Sequence, residues 1–277
     1  MTSINFFWQS PGYLAFMEVD VIESKVLDIF IRNKGLISDA DQELLANTTI
    51  AIAGLGGDGG LLAERLVRMG VGKLILADPE VFESANINRQ FAANMLTLGQ
   101  NKAKAVADEL KAINPEVKIQ VLEEGITAEN VAAFVADTTV VIDEIEYTAP
   151  HLSVLLHTEA RKQGRYVFMG ANIGWGASVF CFSPTGISFE EYFEYNPVTS
   201  TINPLRYLKE VPEYFSESVR TAILAGEMPM PAIASSVSLV AALLSTEVVL
   251  FLTGVRSPIL APEFLFVDLF ERSFLKS

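Results

Sequence analysis

Cysteine is almost absent from this 277-residue sequence, which contains only Cys181. A single cysteine excludes an internal disulfide framework and a structural zinc site built from cysteines. It also suits a reducing compartment, so we predict a cytoplasmic protein without zinc. Positive charge is scarce as well: 20 Lys and Arg stand against 34 Asp and Glu, for a net charge of −14. Such a surface repels nucleic-acid phosphates at long range, which makes nucleic acid an unlikely partner.

The sequence also lacks the usual signs of export and membrane insertion. No positively charged segment precedes the aromatic run that begins at Phe6, so the first residues do not resemble a signal peptide. The stretch 228–246 carries no charge and is long enough to span a bilayer. Serines interrupt it, however, two prolines stand near its start, and Glu247 follows it. We therefore predict a helix buried in a soluble domain, with no membrane partner.

Half of the residues are hydrophobic, and their spacing changes repeatedly along the chain. Short apolar runs predict buried strands, and segments with helical spacing predict helices between them. The predicted strands are 48–53, 73–77, 117–122, 139–142, 166–169, 177–182 and 264–267. The predicted helices are 61–69, 102–113, 130–135, 152–162 and 24–46, the last interrupted near residues 34–35 and capped anew at Ser38. This alternation predicts an α/β fold with a Rossmann-like, mostly parallel sheet that has helices on both faces.

The alternation fails at residues 183–231, which are rich in Tyr, Phe, Pro and Glu. We predict an irregular crossing segment there, and so long an irregular stretch is more often functional than accidental. The buried helix and the last strand follow it. The predicted organisation is an N-terminal extension with helices at 1–47, a nucleotide-binding Rossmann-like domain at 48–182, and a remainder at 183–277 within the same globular unit.

A glycine-rich loop, GLGGDGG at 54–60, separates the first predicted strand from the next helix. It contains G-x-G-x-x-G in the strand–loop–helix context that binds nucleotides. Gly54 permits the tight turn, Gly56 lets backbone N–H groups approach a phosphate, and Gly59 lets the helix pack closely on the strand. Asp78 ends the next strand, where a carboxylate can accept hydrogen bonds from ribose hydroxyls. The loop predicts a nucleotide but leaves NAD and ATP both open.

Two basic residues follow the loop: Arg89 in NINRQ at 86–90, and Lys102 in GQNK at 99–102. A hydride-transfer site needs apolar walls and has no need of cations near the phosphates. Nucleotidyl transfer does need fixed cations, because they stabilise the charge that develops on the phosphates. The pair therefore favours ATP over NAD; the alternative is that both are solvated surface charges.

Taken together, these motifs resemble the ThiF/MoeB/HesA family, the ubiquitin-activating type of adenylyltransferase. The resemblance covers about residues 30–182 and, more loosely, the buried helix. It implies that Asp78 binds the ribose and that other motif residues hold the phosphates of ATP. The implied phosphate-binding residues are Gly54, Gly56, Gly57, Gly59, Asn86, Arg89, Gln90 and Lys102.

The resemblance also implies a homodimer. Arg32, in FIRN at 30–33, falls where the family carries an arginine that reaches into the ATP site of the neighbouring subunit. The alternative is that Arg32 caps a helix end.

The family's magnesium aspartate belongs to an Asp-x-x-Asp-Asn pattern, and this chain has DEIEY at 143–147. Asp143 matches the first position, Glu146 replaces the second aspartate, and Tyr147 replaces the asparagine. Glutamate still offers hard oxygens to Mg²⁺, so Asp143 and Glu146 are the candidate metal ligands. The alternative is an acidic loop without a metal.

A catalytic thiol is not expected. Family members that pass the acyl group to a thiol use a cysteine in the crossing segment, and residues 183–231 contain none. Cys181 lies in a predicted strand, where cysteine is usually a small apolar core residue. The zinc-binding cysteine pairs of many relatives are also missing. We interpret His151 and His157 as ordinary helix residues, since no Ser or Cys nucleophile stands beside them.

The resemblance therefore implies an ATP-dependent adenylyltransferase that activates the C-terminal carboxylate of a small ubiquitin-like protein or a peptide. The substrate tail would lie along the crossing segment, whose aromatic residues can equally belong to the core. Three alternatives stay open: a tRNA-modifying, carboxylate-activating dehydratase of the same family, a nucleotide-binding partner protein without catalysis, and an NAD-dependent oxidoreductase.

Overall fold

The computed structural model describes residues 29–208, 212–224, 227–228 and 230–276. The aromatic run at the N-terminus and most of the predicted extension 1–47 lie outside these residues. The strands are β1 (Thr49–Ala53), β2 (Lys73–Ala77), β3 (Lys118–Leu122), β4 (Val140–Asp143), β5 (Tyr166–Ile173), β6 (Gly176–Phe182), β7 (Leu265–Asp268) and β8 (Ser273–Lys276). The helices are α1 (Asp39–Asn47), α2 (Gly57–Met69), α3 (Lys102–Ile113), α4 (Val131–Ala136), α5 (Pro150–Lys162), α6 (Phe189–Tyr192), α7 (Glu217–Leu224) and α8 (Ala234–Leu252).

Across the described residues the strands form one eight-stranded sheet in the order β3-β2-β1-β4-β5-β6-β7-β8. The first five strands of this order are parallel, and β6, β7 and β8 continue it as antiparallel neighbours. The predicted α/β fold with a Rossmann-like, mostly parallel sheet is confirmed. Because β1 has β2 on one side and β4 on the other, the strand order reverses at β1. Ligands of open α/β sheets bind beyond the carboxyl ends of the strands at such a point.

The apolar residues form one core on each face of the sheet. One core joins β1 and β2 to α2, α3 and α8, and the other joins the opposite face to α4, α5 and the crossing segment. Each interior strand is therefore buried on both sides, which explains why these strands are nearly continuous apolar runs.

Local sequence signals set the ends of the helices. The Ser38 hydroxyl accepts a hydrogen bond from the Asp41 N–H at the start of α1, and the Asn101 side chain accepts one from the Lys104 N–H at the start of α3. Gly70 ends α2 with φ near +107°, a left-handed conformation that glycine adopts without strain. These signals fix where α1 and α3 begin and where α2 ends.

Of the described helices, α8 is long and apolar enough to cross a membrane, with a mean hydropathy of 1.9. Half of that window is buried, and α8 packs against α2, β5 and β6. This packing matches the helix predicted from residues 228–246 as part of the core.

The crossing segment contains two short helices, α6 and α7, and a 3-10 turn at Pro204–Tyr207. Several of its aromatic side chains pack on Phe180 and Phe182 of β6. Tyr192, Phe193, Tyr207 and Phe215 are buried in the core. Most of the segment's aromatic surface thus serves packing, and Tyr207 also lines the cavity described next.

Candidate functional site

The glycine loop is held tightly between β1 and α2. A Cβ on Gly54, which has φ near +91°, would lie 2.1 Å from the Glu144 carbonyl oxygen, and one on Gly59 would lie 2.0 Å from the Gly54 carbonyl oxygen. Gly56 differs, because the atom nearest to its Cβ position is the Gln90 Nε2 at 3.5 Å. Gly54 and Gly59 are thus required by the backbone itself, whereas Gly56 faces open space at the amino end of α2.

Asp78 fixes the same loop from the end of β2. Its Oδ2 accepts a hydrogen bond of 2.7 Å from the Leu55 N–H, and its Oδ1 accepts one of 2.8 Å from the Glu80 N–H. The side chain is buried, and this burial raises the pKa of its carboxyl group. Asp78 lines a cavity of about 170 Å³, which we call the first cavity.

Lys102, the first residue of α3, lines the first cavity as well. Its ammonium lies 2.5 Å from a carboxylate oxygen of Glu80, and its side chain is buried, with 6% of its surface exposed. Asn101 holds the start of this helix, because its side-chain amide donates to the Asp78 carbonyl at 2.8 Å. Lys104, two residues later, is exposed and pairs with Asp108. Lys102 is therefore a buried site cation and not a solvated surface charge.

A second cavity, of about 230 Å³, opens on the other side of the glycine loop and is lined by Gly57, Arg89 and Gln90 among others. Arg89 donates to the Ala85 carbonyl at 3.0 Å and to the Asn88 side chain at 2.9 Å. Gln90 is buried.

Asn86 has a different place from the other residues expected around a triphosphate. It accepts from the Glu83 N–H and caps the short turn Ser84–Asn86. Three of the four expected residues, Arg89, Gln90 and Lys102, thus line the two cavities, and Asn86 shapes the segment between them.

The two cavities meet at Gly56 and at the loop that follows β4, where Glu144, Ile145 and Glu146 line both of them. Burial and the nearby Glu80 raise the pKa of Glu146, while the charges of Lys102 and Arg89 act in the opposite direction. Glu146 therefore lies within the electrostatic reach of both cations, at the point where the cavities join.

Asp143, the other candidate metal ligand, is fully engaged by the protein. Its Oδ2 lies 3.1 Å from the His157 Nε2, and its Oδ1 accepts from the Ile145 N–H at 3.1 Å. No surface of its side chain is exposed. His157 packs edge-on against Phe182. Asp143 thus fixes the loop that carries Glu146, and Glu146 is the carboxylate of the pair that reaches the cavities. The interpretation of His157 as an ordinary helix residue missed this contact.

Sequence reasoning also missed a buried polar group behind the glycine loop. Asp58, the second residue of α2, accepts a 2.7 Å hydrogen bond from the Asn172 side-chain amide. Burial raises the pKa of Asp58 to about 7. Glu144 accepts from the Gly170 N–H at 2.8 Å, and burial and the Asp58 charge raise its pKa well above the usual value. The sequence signal that could have identified Asp58 is the presence of an acidic residue inside the glycine-rich loop.

Arg32 and Cys181 lie away from both cavities. Arg32 is exposed in the turn Ile31–Asn33, and the neighbouring Asn33 donates to the Met69 carbonyl at the last residue of α2. The glycine loop is at the other end of that helix, about 18 Å away at 1.5 Å per residue. Cys181 is buried within β6, and burial raises the pKa of its thiol, so the thiol is poorly disposed to act as a nucleophile.

Comparison with known proteins identifies a family that shares these motifs. The sequence profile of the ThiF family matches residues 31–276. tRNA threonylcarbamoyladenosine dehydratase of Bacillus subtilis is 37% identical over 109 residues, which are 39% of this chain and 43% of that protein. The dehydratase of Escherichia coli is 32% identical over 121 residues, 43% of this chain and 45% of that protein. Ubiquitin-like modifier-activating enzyme 5 of Caenorhabditis briggsae is 39% identical over 97 residues, 35% of this chain and 22% of that protein. The matches thus span less than half of each relative.

Solved structures share the fold. The structure of PaaA has a TM-score of 0.65 and 23% identity, and covers 86% of this chain and 65% of PaaA. The structure of E. coli MccB with ATP has a TM-score of 0.65 and 16% identity, with the same 86% and 65% coverage. At these identities the likeness establishes the architecture alone.

Proposed function

The chain belongs to the ThiF family, and from this premise we propose that it is an ATP-dependent enzyme that activates a substrate carboxylate as an acyl-adenylate. The observation that carries the proposal is the meeting of the two cavities at the glycine loop. Lys102 lines the first cavity, Arg89 lines the second, and Glu146 lines both. A nucleoside triphosphate that crosses this junction has cations along its phosphates and a second cavity beyond them for another substrate.

The first cavity fits the nucleoside. Each carboxylate oxygen of Asp78 has a second lone pair beyond its backbone hydrogen bond, so it can still accept from a ribose hydroxyl. The phosphates would lie at the amino end of α2, whose free N–H groups and dipole favour negative charge. Gly56 leaves room for this approach, because no protein atom comes within 3.5 Å of the position of a Cβ there.

Glu146 fits a magnesium ion that accompanies the phosphates. Mg²⁺ commonly takes one or two protein carboxylates and completes its shell with water and phosphate oxygens. Within the described part of the chain no group of three His, Cys, Asp or Glu side chains is placed to hold a metal, so a metal here would depend on the phosphates. Bound there, magnesium would neutralise phosphate charge.

In the proposed reaction a carboxylate oxygen of the substrate forms a bond to the α-phosphorus of ATP. The bond from that phosphorus to the bridging oxygen breaks, and pyrophosphate leaves with the electron pair. Lys102 and Arg89 stabilise the charge on the phosphates through fixed positions, and the cavities orient the two reactants. No nucleophile of the protein takes part.

The proposed acyl substrate is the C-terminus of a small ubiquitin-like protein or a peptide. Two findings support it: ubiquitin-like modifier-activating enzyme 5 is among the relatives, and MccB has been solved together with MccA. The second cavity also has apolar walls, including Ile173, Tyr207 and Met230. We further propose a homodimer, because Arg32 is exposed and far from its own cavities, so that a phosphate contact requires a partner subunit.

Calorimetric titration with ATP and magnesium tests the nucleotide assignment. We expect the wild-type protein to bind ATP, and Lys102→Ala to weaken ATP binding or pyrophosphate exchange by roughly 2–4 kcal/mol, the scale for loss of one fixed donor. Lys104→Ala is the matched control, because Lys104 is an exposed lysine on the same helix. Stronger binding of NAD than of ATP, or equal effects of the two variants, would contradict the assignment.

A second candidate is a dehydratase that activates a carboxylate on modified tRNA, which the two bacterial dehydratases among the relatives favour. The net charge of −14 opposes it. Filter binding with bulk tRNA separates the two candidates: tight, salt-sensitive retention would favour the tRNA substrate, and no retention favours the peptide.

A further inference from the structure

Three buried side-chain oxygens in the second cavity accept no hydrogen bond: Asp58 Oδ1, Gln90 Oε1 and Asn172 Oδ1. Asp58 and Gln90 are only 8% and 7% exposed. The 2.7 Å bond from the Asn172 amide to the other oxygen of Asp58 fixes both side chains. The side chains that carry two of the free oxygens, Asp58 and Asn172, are therefore held in place among the residues that line the second cavity.

Buried acceptors without a donor cost free energy, and native proteins rarely keep them without a reason. A triphosphate cannot satisfy the amide oxygens of Gln90 and Asn172, because ionised phosphate oxygens are acceptors themselves. The Gln90 side chain illustrates the division: its Nε2 lies toward Gly56, where a phosphate would approach, while its oxygen stays free. The missing partner must bring a donor.

Resting on the proposed function, we propose that Asp58, Asn172 and Gln90 form an acceptor site for an N–H group that the acyl substrate carries next to its reacting carboxylate. Asp58 follows Gly57 at the start of α2, so a group bound to it lies beside the phosphates. The site would select carboxylates with an adjacent amide N–H, as at the end of a peptide, over acids without one. Apolar residues of the same cavity, among them Met169 and Ile173, would contact the remaining chain.

Non-reactive mimics of an acyl-adenylate provide the test. Calorimetry compares three ligands: 5′-O-sulfamoyladenosine, its N-acetylglycylglycyl derivative, and the same derivative with an ester oxygen in place of the N–H nearest the acyl sulfamate. We expect wild-type protein to bind the amide derivative at least about tenfold more tightly than the ester, the scale of one hydrogen bond in a protein.

The variants assign that preference to the site. Asp58→Ala should bring the amide and ester affinities within about twofold of each other, whereas Asp108→Ala, a carboxylate deletion on the exposed face of α3, should keep the wild-type ratio. Binding of 5′-O-sulfamoyladenosine reports whether the first cavity is intact in each variant. If Asp58→Ala does not fold, Asn172→Ala replaces it, with a partial loss of preference expected.

The outcomes separate the two proposals. Suppose that wild-type protein binds the amide and ester derivatives with equal affinity, and both more tightly than 5′-O-sulfamoyladenosine. The proposed acceptor site is then wrong, while the proposed acyl-adenylate formation stands. An alkali cation on the same oxygens would also give this equality. If none of the three ligands binds, the proposed function is wrong and the acceptor site falls with it. A preference that survives both Asp58→Ala and Asn172→Ala would place the donor contact elsewhere.

Discussion

The two cavities that meet at the glycine loop differ in whether the protein satisfies the hydrogen-bonding groups that line them. In the first cavity, Asp78 uses both carboxylate oxygens on backbone N–H groups and Lys102 is paired with Glu80. In the second cavity, Asp58, Gln90 and Asn172 each keep a buried oxygen without a donor. The protein alone satisfies the polar groups of the first cavity, and it leaves acceptors without donors in the second.

This difference shows where the stability of the site comes from. Groups already held by the protein need little reorganisation when a ligand arrives, which favours electrostatic catalysis. Unsatisfied buried groups lower stability until a ligand completes them, and the ligand that completes them is thereby selected. Substitutions in the first cavity and the glycine loop should therefore lower the stability of the fold. Removal of the Asp58 charge from the second cavity should raise it.

The largest effect is expected at Gly59. Gly59→Ala places a Cβ 2.0 Å from the Gly54 carbonyl oxygen, so α2 must move away from β1 and both cavities are distorted. We expect a loss of about 3 kcal/mol or more in the free energy of unfolding, measured by urea denaturation.

Gly56→Ala is the matched control for this substitution, because its Cβ meets only the Gln90 side chain, at 3.5 Å. It should keep most of the stability but weaken ATP binding, since the methyl group occupies the junction of the cavities. Equal stability of the two variants would show that the loop is not held as the contacts indicate.

A smaller loss is expected from Asp78→Ala. The substitution leaves the buried Leu55 N–H and the partly buried Glu80 N–H without their acceptor, which should cost roughly 1–3 kcal/mol at pH 7. Asp108→Ala removes an exposed carboxylate and should change the free energy of unfolding by less than about 0.5 kcal/mol. If chemical denaturation finds Asp78→Ala as stable as Asp108→Ala, the first cavity is not supported by this residue.

Most of the fold was predictable because the two kinds of element differ in their apolar pattern. The interior strands are buried on both faces and form continuous apolar runs, whereas most helices are buried on one face and show helical spacing. The bounds predicted for β2 and α3 equal those of the structure, since local signals mark them: β2 follows a glycine, and α3 ends before Asn114 and Pro115. The start of α2 was placed too late, because Gly57, Gly59 and Gly60 have poor helix propensity and become helical through close packing on the turn after β1, on α3 and on α8. Strand β8 was missed because four residues after a turn carry too little periodicity.

The site divides in the same way. The positions of Lys102 and Arg89 beside the cavities could be predicted because each lies in a short motif that follows the glycine loop. The hydrogen bond between Asp58 and Asn172 joins residues 114 positions apart, and that between Asp143 and His157 depends on how α5 packs on β4. Contacts of this kind arise from tertiary packing, so a single sequence carries no local signal for them.

The smallest effect, and the one with the opposite sign, is expected from Asp58→Asn. Burial raises the pKa of Asp58 in the folded protein to about 7, against an ordinary value of 3.8, so the folded protein binds more protons than the unfolded chain between these pH values. Stability from this group is complete below about pH 4 and is lost as the pH rises to about 7. Asparagine can still accept from Asn172 but never ionises, and its neutrality also relieves Glu144. Thermal unfolding from pH 5 to pH 8 should therefore show the variant gaining on wild type, by on the order of 1–2 kcal/mol at pH 8. Parallel pH profiles of the two proteins would mean that the second cavity does not hold a buried carboxyl at the expense of stability.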